Sequence, residues 1–164
     1  MRGGLAAALV FGVLLVAAQP AGAGSSVAPI GTSSMSVLAS PHTPSAHAVR
    51  LLVTLRYEMQ CDYPGAGPLV VTFPSAVKLP HRFAGSAVKL AGKPIAATVD
   101  RRRVTVTVPP HSGTLCSLRG PGSVTLTFTR AAKIANPARA GSFGFKATHD
   151  GHTFTAKLAI KAAG

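Results

Sequence analysis

Acidic side chains are the main shortage in this 164-residue sequence. The only carboxylates are Glu58, Asp62, Asp100 and Asp150, against 17 lysines and arginines, which gives a formal net charge of +13. Paired-carboxylate catalysis needs two such groups in one cleft. Two of them fall in predicted turns, and the other two lie on or beside the solvent face of one strand. A G-x-S-x-G elbow and a Gly-rich phosphate loop are also missing, so we expect no enzyme and no cofactor.

The sequence has a single long apolar run, from Leu5 to Ala18. Arg2 precedes it, and the small residues Ala21-Gly22-Ala23 follow it, which predicts a signal peptide over residues 1–23. A retained membrane anchor is the alternative, but the run is short for a hydrocarbon core of ~30 Å. With no second run of spanning length, no transmembrane segment is expected after cleavage. The mature protein should be secreted, either extracellular or associated with the cell surface.

Cysteine is limited to Cys61 and Cys116. In an oxidising compartment an even number of cysteines favours a disulfide, which would close a loop of 55 residues between positions 61 and 116. A metal pair is the alternative. Neither cysteine lies in a C-x-x-C motif or has a histidine at ligand spacing, so we predict the Cys61–Cys116 disulfide.

The pattern of apolar and polar residues in the rest of the chain changes at Val49. Residues 24–48 are rich in Ser, Ala, Pro and Gly and show little periodicity, which predicts a flexible lead. From Val49 to Cys61 apolar and polar side chains alternate, and only Leu52 breaks the polar set. Period two predicts a strand with one buried face. The folded domain is therefore expected to span residues 49–164.

Short apolar or alternating segments continue to the C-terminus, separated by turn residues. Gly92-Lys93-Pro94 predicts a hairpin, and Asp150-Gly151-His152 predicts a tight turn. Seven or eight short strands without a helix predict an all-β, two-sheet sandwich. The tryptophan that marks antibody-type domains is missing, so the pattern predicts this architecture without the antibody topology. The segments after the first strand are Leu69–Phe73, Ala87–Leu90, Ile95–Val99, Val104–Val108, Val124–Phe128, Phe143–Ala147 and Phe154–Ile160.

Several of these segments carry a recognisable order of motifs. Thr72-Phe73-Pro74 ends one strand, a Val/Thr strand runs from Val104 to Pro109, and Ala131 to Phe143 reads A-A-x-I-x-N-P-x-x-x-G-x-F. This order resembles the immunoglobulin-like modules of surface and secreted proteins from Gram-positive bacteria and archaea, with Ala91 where the module usually has Asn. The chain is also similar to small secreted actinobacterial proteins of unknown role. The resemblance implies an immunoglobulin-like sandwich with a structural or adhesive role and supplies no catalytic residues.

The Asn-Pro step in the last motif has a physical interpretation of its own. The Asn136 side chain can cap a turn, and Pro137 fixes φ and removes a ladder donor. Gly141 permits an unusual backbone angle before the next strand. We expect these residues to shape a crossover between the sheets rather than to bind a ligand.

Basic side chains are abundant and grouped. They attract anionic surfaces, although a solvated exterior that maintains solubility is the alternative. The aromatic residues occupy predicted core positions, so specific nucleic-acid binding is not expected. The expected partner is an anionic cell-envelope polymer or another surface protein. We predict polyanion binding by two groups, the first comprising Arg101, Arg102 and Arg103 and the second comprising Arg82, Lys89 and Lys93. A third group comprises Arg130, Lys133 and Arg139.

Histidines provide the competing hypothesis. His149 and His152 flank the predicted tight turn and could bind copper or zinc if a third ligand came close, although histidines at exposed turns are usually just solvated. The sequence therefore predicts a secreted, non-enzymatic structural or binding module associated with the cell envelope. An extracytoplasmic copper- or zinc-binding protein is the alternative.

Overall fold

The computed structural model describes residues 33–57, 66–110 and 122–162. These residues form ten strands and one three-residue 3-10 helix, Arg130–Ala132. No helix in these ranges is both long and apolar enough to cross a membrane. The strands are β1 (Ser34–Ser40), β2 (Arg50–Arg56), β3 (Gly67–Thr72), β4 (Val88–Leu90), β5 (Lys93–Pro94), β6 (Ala97–Asp100), β7 (Arg103–Val108), β8 (Ser123–Phe128), β9 (Gly141–His149) and β10 (His152–Ile160).

The strands build two antiparallel sheets. Sheet I has the order β1-β2-β8-β4-β5, and sheet II has the order β10-β9-β3-β7-β6. Alternating side chains put one face of each sheet into a shared core, as period two requires. The all-β, two-sheet sandwich predicted from the sequence is confirmed, with ten strands in the described ranges instead of seven or eight.

The first strand lies outside the predicted domain boundary. Residues 24–48 were expected to form a flexible lead, but Ser34–Ser40 pairs along its full length with β2, from Ser34 opposite Arg56 to Ser40 opposite Arg50. Val37 is 4% exposed and joins the core. The sandwich therefore includes residues that the sequence assigned to the lead.

Aromatic rings fill the core at both ends of the sandwich. Phe73 packs edge-on against Phe128 of sheet I and Phe145 of sheet II, with ring centroids 5.5 and 5.1 Å apart. At the opposite end Tyr57 packs against Phe154 at 5.1 Å. Burying each such ring stabilises the fold by roughly 1.5–3 kcal/mol. These contacts tie the two sheets together.

The predicted hairpin around Gly92-Lys93-Pro94 forms only in part. Lys93 and Pro94 pair with β4 in sheet I, but the next strand, β6, pairs with β7 in sheet II. The chain changes sheets between Pro94 and Ala97. The expected continuation of the hairpin to Val99 is therefore wrong, and β5 is limited to two residues.

The tight turn at Asp150 forms as predicted. Asp150 and Gly151 have φ angles of 48° and 74° and join β9 to β10, with His149 opposite His152. Two positive φ angles in succession are what a two-residue hairpin needs to match strand twist. Gly141 also has the expected positive φ, 154°, at the first residue of β9.

The connection between β8 and β9 crosses from sheet I to sheet II, and Asn136 holds it in place. The buried Asn136 amide donates hydrogen bonds of 2.9 Å to the carbonyl oxygens of Pro41 and Thr43. The predicted fold role of Asn136 is confirmed. Its amide fixes the β1–β2 connection, however, rather than capping its own turn.

Both sheets run between the same two ends. The end that holds this crossover also holds the β1–β2, β3–β4 and β6–β7 connections, and we call it the crossover end. The opposite end holds the β9–β10 turn and Tyr57, and we call it the turn end. Cations and histidines divide unequally between these two ends.

Candidate polyanion-binding surface

Exposed cations concentrate at the crossover end. The β3–β4, β6–β7 and β8–β9 connections supply most of them, and Arg50 follows the β1–β2 connection as the first residue of β2. Asp100 is the single carboxylate that the described part of the chain places among them. Clustering charges of one sign raises the local potential and attracts counter-charged ligands. The crossover-end cations, all exposed, are Arg50, Lys78, Arg82, Arg101, Arg102, Arg103, Arg130, Lys133, Arg139 and Lys161.

The arginine triplet sits on the β6–β7 turn. Arg103 opens β7 opposite Asp100, and Arg101 has a φ of 51° that reverses the chain. The Phe73 N–H donates a 2.8 Å hydrogen bond to the Arg102 carbonyl. This bond ties the turn to the end of β3, so the three guanidinium groups project from a fixed backbone.

Backbone hydrogen bonds also link the other connections of this end to one another. Lys78 and Ala135 exchange two N–H···O bonds of 3.1 Å, which join the β3–β4 loop to the crossover. The Lys161 N–H donates to the His42 carbonyl at 3.1 Å. Because these loops are tied together, binding through them would order little backbone, which lowers the entropic cost of association.

A depression of about 430 Å³ lies between the β3–β4 loop and the 3-10 helix. Arg82 lines it from the loop and Lys133 from the residue after the helix, and Phe83 also lines it. A cation on each side of a partly apolar cleft suits an anionic ligand with a carbon skeleton. The remaining lining residues are Pro80, Ala84, Ala131 and Ala132.

Two of the residues that were predicted to bind a polyanion lie away from this end. Lys89 is on the outer face of sheet I, opposite Thr127, and Lys93 is in β5 at the sheet edge. The predicted group of Arg82, Lys89 and Lys93 is therefore split. Arg82 instead joins the arginine triplet and the third predicted group at the crossover end.

Tyr57 and the two turn histidines form a cluster at the turn end. The Tyr57 hydroxyl and His149 Nδ1 share a buried hydrogen bond of 2.7 Å. The Tyr57 ring also packs edge-on against His149 and His152, at centroid distances of 6.0 and 5.9 Å. Burial, followed by the nearby Asp150 carboxylate, raises the pKa of Tyr57 from 10.0 to about 12. Tyr57 is therefore neutral at physiological pH.

The proposed metal ligands lie within this cluster. His149 is 2% exposed and His152 is half-buried. Across residues 33–57, 66–110 and 122–162, no three His, Cys, Asp or Glu side chains are grouped as a metal site requires. The predicted disulfide cysteines, Cys61 and Cys116, lie outside the described residues, and their pairing stays a prediction.

Sequence reasoning left several crossover-end cations unassigned. Arg50, Lys78 and Lys161 belong to no sequence cluster, because each stands alone in the chain. The alternating direction of successive strands is the signal that could have identified them. In an antiparallel sandwich successive connections alternate between ends, so every second connection shares an end. Counting strands in this way places most of these loops at the same end of the sandwich from the sequence alone.

No protein-family model and no curated protein matches this sequence. Among solved structures, the fold is similar to that of BslA, a bacterial hydrophobin, with a TM-score of 0.54 and 18% identity over 80% of this chain and 100% of that chain. A GH20 exo-β-N-acetylglucosaminidase from Vibrio harveyi gives a TM-score of 0.35 and 12% identity over 80% of this chain and 18% of that chain. The likeness to BslA identifies a shared β-sandwich fold.

Proposed function

We propose that this protein is a secreted, non-enzymatic β-sandwich module that binds an anionic cell-envelope polymer through its crossover end. The observation that carries the proposal is the gathering of exposed cations from separate connections at that end, with Asp100 as the single described carboxylate among them. The +13 formal charge of the chain favours long-range attraction to such a polymer. The likeness of the fold to BslA, a bacterial hydrophobin, is in keeping with a structural module.

Multiple exposed charges, rather than one strong contact, would supply the affinity. An exposed ion pair contributes about 0.2–1 kcal/mol, so removing three such pairs at once weakens binding by about tenfold. Ion pairs of this kind are screened by salt. Binding to a polyanion should therefore be strong at low ionic strength and fall steeply as salt is added.

Cosedimentation of the purified protein with an insoluble cell-envelope fraction tests the proposal. Raising NaCl from about 0.1 M to about 1 M shortens the Debye length from ~10 Å to ~3 Å and should release the protein. Retention that does not change with salt would contradict binding by exposed charge.

Two triple variants with the same change in net charge locate the surface. Arg101→Gln/Arg102→Gln/Arg103→Gln removes crossover-end charge, whereas Arg56→Gln/Lys89→Gln/Lys93→Gln removes charge that lies away from that end. The first should lose about tenfold in affinity, and the second should lose two- to threefold at most by screened, non-local attraction. Equal losses in both variants would show that net charge, and not this end, controls binding.

Metal titration tests the competing hypothesis. Calorimetry with copper and zinc should show no site tighter than about 10 μM, which corresponds to about −7 kcal/mol. A tighter site that disappears in His152→Ala would favour the extracytoplasmic metal protein. The turn-end cluster, rather than the crossover end, would then be the functional site.

A further inference from the structure

The depression between Arg82 and Lys133 brings cations from two separate segments, the β3–β4 loop and the residue after the 3-10 helix, to one concave site. Its volume of about 430 Å³ falls within the ~300–1,000 Å³ of sites that hold small organic ligands. This is much larger than a bare ion needs. Another crossover-end cation, Lys161, lines a second depression of about 310 Å³ together with Lys157, but both of these cations come from one segment of the chain.

Hydrogen bonds fix the two walls of the depression relative to each other. On one side the Ala87 N–H donates to the Ala84 carbonyl at 2.9 Å, and on the other the Ala132 N–H donates to the Thr129 carbonyl at 2.9 Å. Thr129 joins the two walls, since its N–H and its hydroxyl both donate to the Ala87 carbonyl, at 2.8 and 3.2 Å. The site is therefore formed before any ligand binds.

Lys133 occupies a backbone conformation that favours glycine. It follows the 3-10 helix in the left-handed region, with φ 52° and ψ 31°, where a side chain crowds the backbone and glycine does not. A lysine in such a place bears a conformational cost, and strained residues of this kind cluster at binding sites. Lys133 is one of the residues that line the depression.

We propose that this depression binds one phosphodiester unit of a polyol-phosphate or sugar-phosphate polymer, an inference that rests on the polymer binding proposed above. The Arg82 guanidinium donates to one non-bridging phosphate oxygen, and the Lys133 ammonium donates to the other from the opposite wall. Phe83 and the exposed Ala84 and Ala131 supply apolar lining for the carbon skeleton of the unit.

A phosphate group suits this arrangement better than a carboxylate. The two non-bridging oxygens of a phosphodiester point in different directions from a tetrahedral phosphorus, so each can accept from a donor on a different wall. A carboxylate is planar, and both of its oxygens can be taken by one guanidinium fork. The cations stand on separate segments, the β3–β4 loop and the residue after the 3-10 helix, and approach the centre from two sides.

Binding of two soluble polymers of matched length, poly(glycerol phosphate) and polygalacturonate, tests the inference. Three forms are compared: the unmodified protein, Arg82→Gln/Lys133→Gly, and Arg102→Gln/Arg139→Gln. Both double variants lose two crossover-end charges, but only the first changes the depression. Lys133→Gly suits the local backbone, so its urea midpoint should equal or exceed that of the unmodified protein, which excludes misfolding as the cause of weaker binding.

The expected result is a preference of about tenfold for the phosphate polymer that disappears only in Arg82→Gln/Lys133→Gly. If the unmodified protein binds neither polymer, the proposed function itself fails. If it binds both polymers equally, or if the two double variants lose affinity equally, the polymer-binding function stands and the phosphate site is refuted. A preference for polygalacturonate that is abolished only in Arg82→Gln/Lys133→Gly would identify a carboxylate site and would also overturn the inference.

Discussion

Tyr57, His149 and Asn136 place polar groups in an otherwise apolar described interior, and each is held by a specific partner. Tyr57 shares its hydrogen bond with His149 across the two sheets. Asn136 joins two connections at the opposite end. A buried polar group specifies one arrangement because every alternative leaves it unsatisfied. These residues therefore determine how each end of the sandwich closes.

Alkaline titration of Tyr57 should show the effect of its burial. The folded-state pKa is about 12, against 10.0 for the free side chain. Between these values the unfolded chain has lost the proton that the folded chain retains, so stability falls as the pH rises from 10 to 12. Absorbance of tyrosinate measured in Tyr63→Phe, which leaves Tyr57 as the sole tyrosine, reports this ionisation directly.

Asp150→Asn provides a control for the cause of the shift. Asparagine tolerates the left-handed turn conformation, and it removes the carboxylate that makes the smaller contribution to the raised pKa. The pKa of Tyr57 should fall only part of the way towards 10.0. A Tyr57 that ionises near 10.0 with Asp150 intact would contradict the buried position.

Replacing Asn136 should loosen the crossover end. Asn136→Ala removes two hydrogen bonds to the carbonyls of Pro41 and Thr43 and should lower the free energy of unfolding by about 2 kcal/mol, measured by urea denaturation. The exposed Ser142→Ala should change it by less than about 0.5 kcal/mol. Equal effects from both substitutions would show that the buried amide contributes little.

At the scale of the element, β1 shows why an edge strand is difficult to detect. Its sequence, Ser-Met-Ser-Val-Leu-Ala-Ser, alternates weakly, and Val37 is its one fully buried side chain. An edge strand packs one face against few neighbours, so a serine-rich composition is tolerated there. This composition is also typical of linkers. β2, β7 and β8 were found because each buries three alternating side chains.

Substitutions in β1 test whether the strand belongs to the sandwich. Val37→Ala removes two buried methyl groups and should lower the free energy of unfolding by about 2 kcal/mol. Its neighbour Leu38 is 64% exposed, and Leu38→Ala should cost less than about 0.5 kcal/mol. A Val37→Ala variant as stable as the unmodified protein would mean that β1 contributes nothing to the core.

The candidate site could be predicted only in outline. The arginine triplet and the turn histidines were identifiable because their members are close in the sequence. The depression was not, because Arg82 and Lys133 are brought together by the path of a long β3–β4 loop. The spacing of apolar residues in the sequence does not indicate the path of such a loop. Lys89 was grouped with Arg82 on sequence distance alone, and the strand carries it to a different surface.

At the scale of the whole molecule, the two ends differ in charge and chemistry. The crossover end presents lysines and arginines from separate connections, and the turn end presents Asp150 and the half-buried His152. Such asymmetry orients a protein in an electric field before contact, which steers association. A bound polymer should therefore meet the same end in every encounter.

Hydrogen exchange in the presence of poly(glycerol phosphate) should record this orientation. Amides in residues 74–87, 101–103 and 129–140 should gain protection, because these connections would lie beneath the polymer. The turn at Asp150–Gly151 should exchange as in the free protein and serves as the internal control. Protection confined to that turn would place the binding surface at the wrong end of the molecule.

The direction of β1 has a practical consequence for anyone who labels or displays this protein. Its first residue, Ser34, is paired with Arg56 near the turn end, whereas Lys161 follows β10 at the crossover end. A strand of seven residues separates the ends by roughly 23 Å. A fluorescent reporter or immobilising tag joined ahead of Ser34 would project away from the bound polymer. The same cargo fused behind Ala162 would sit among the cations and compete for their space.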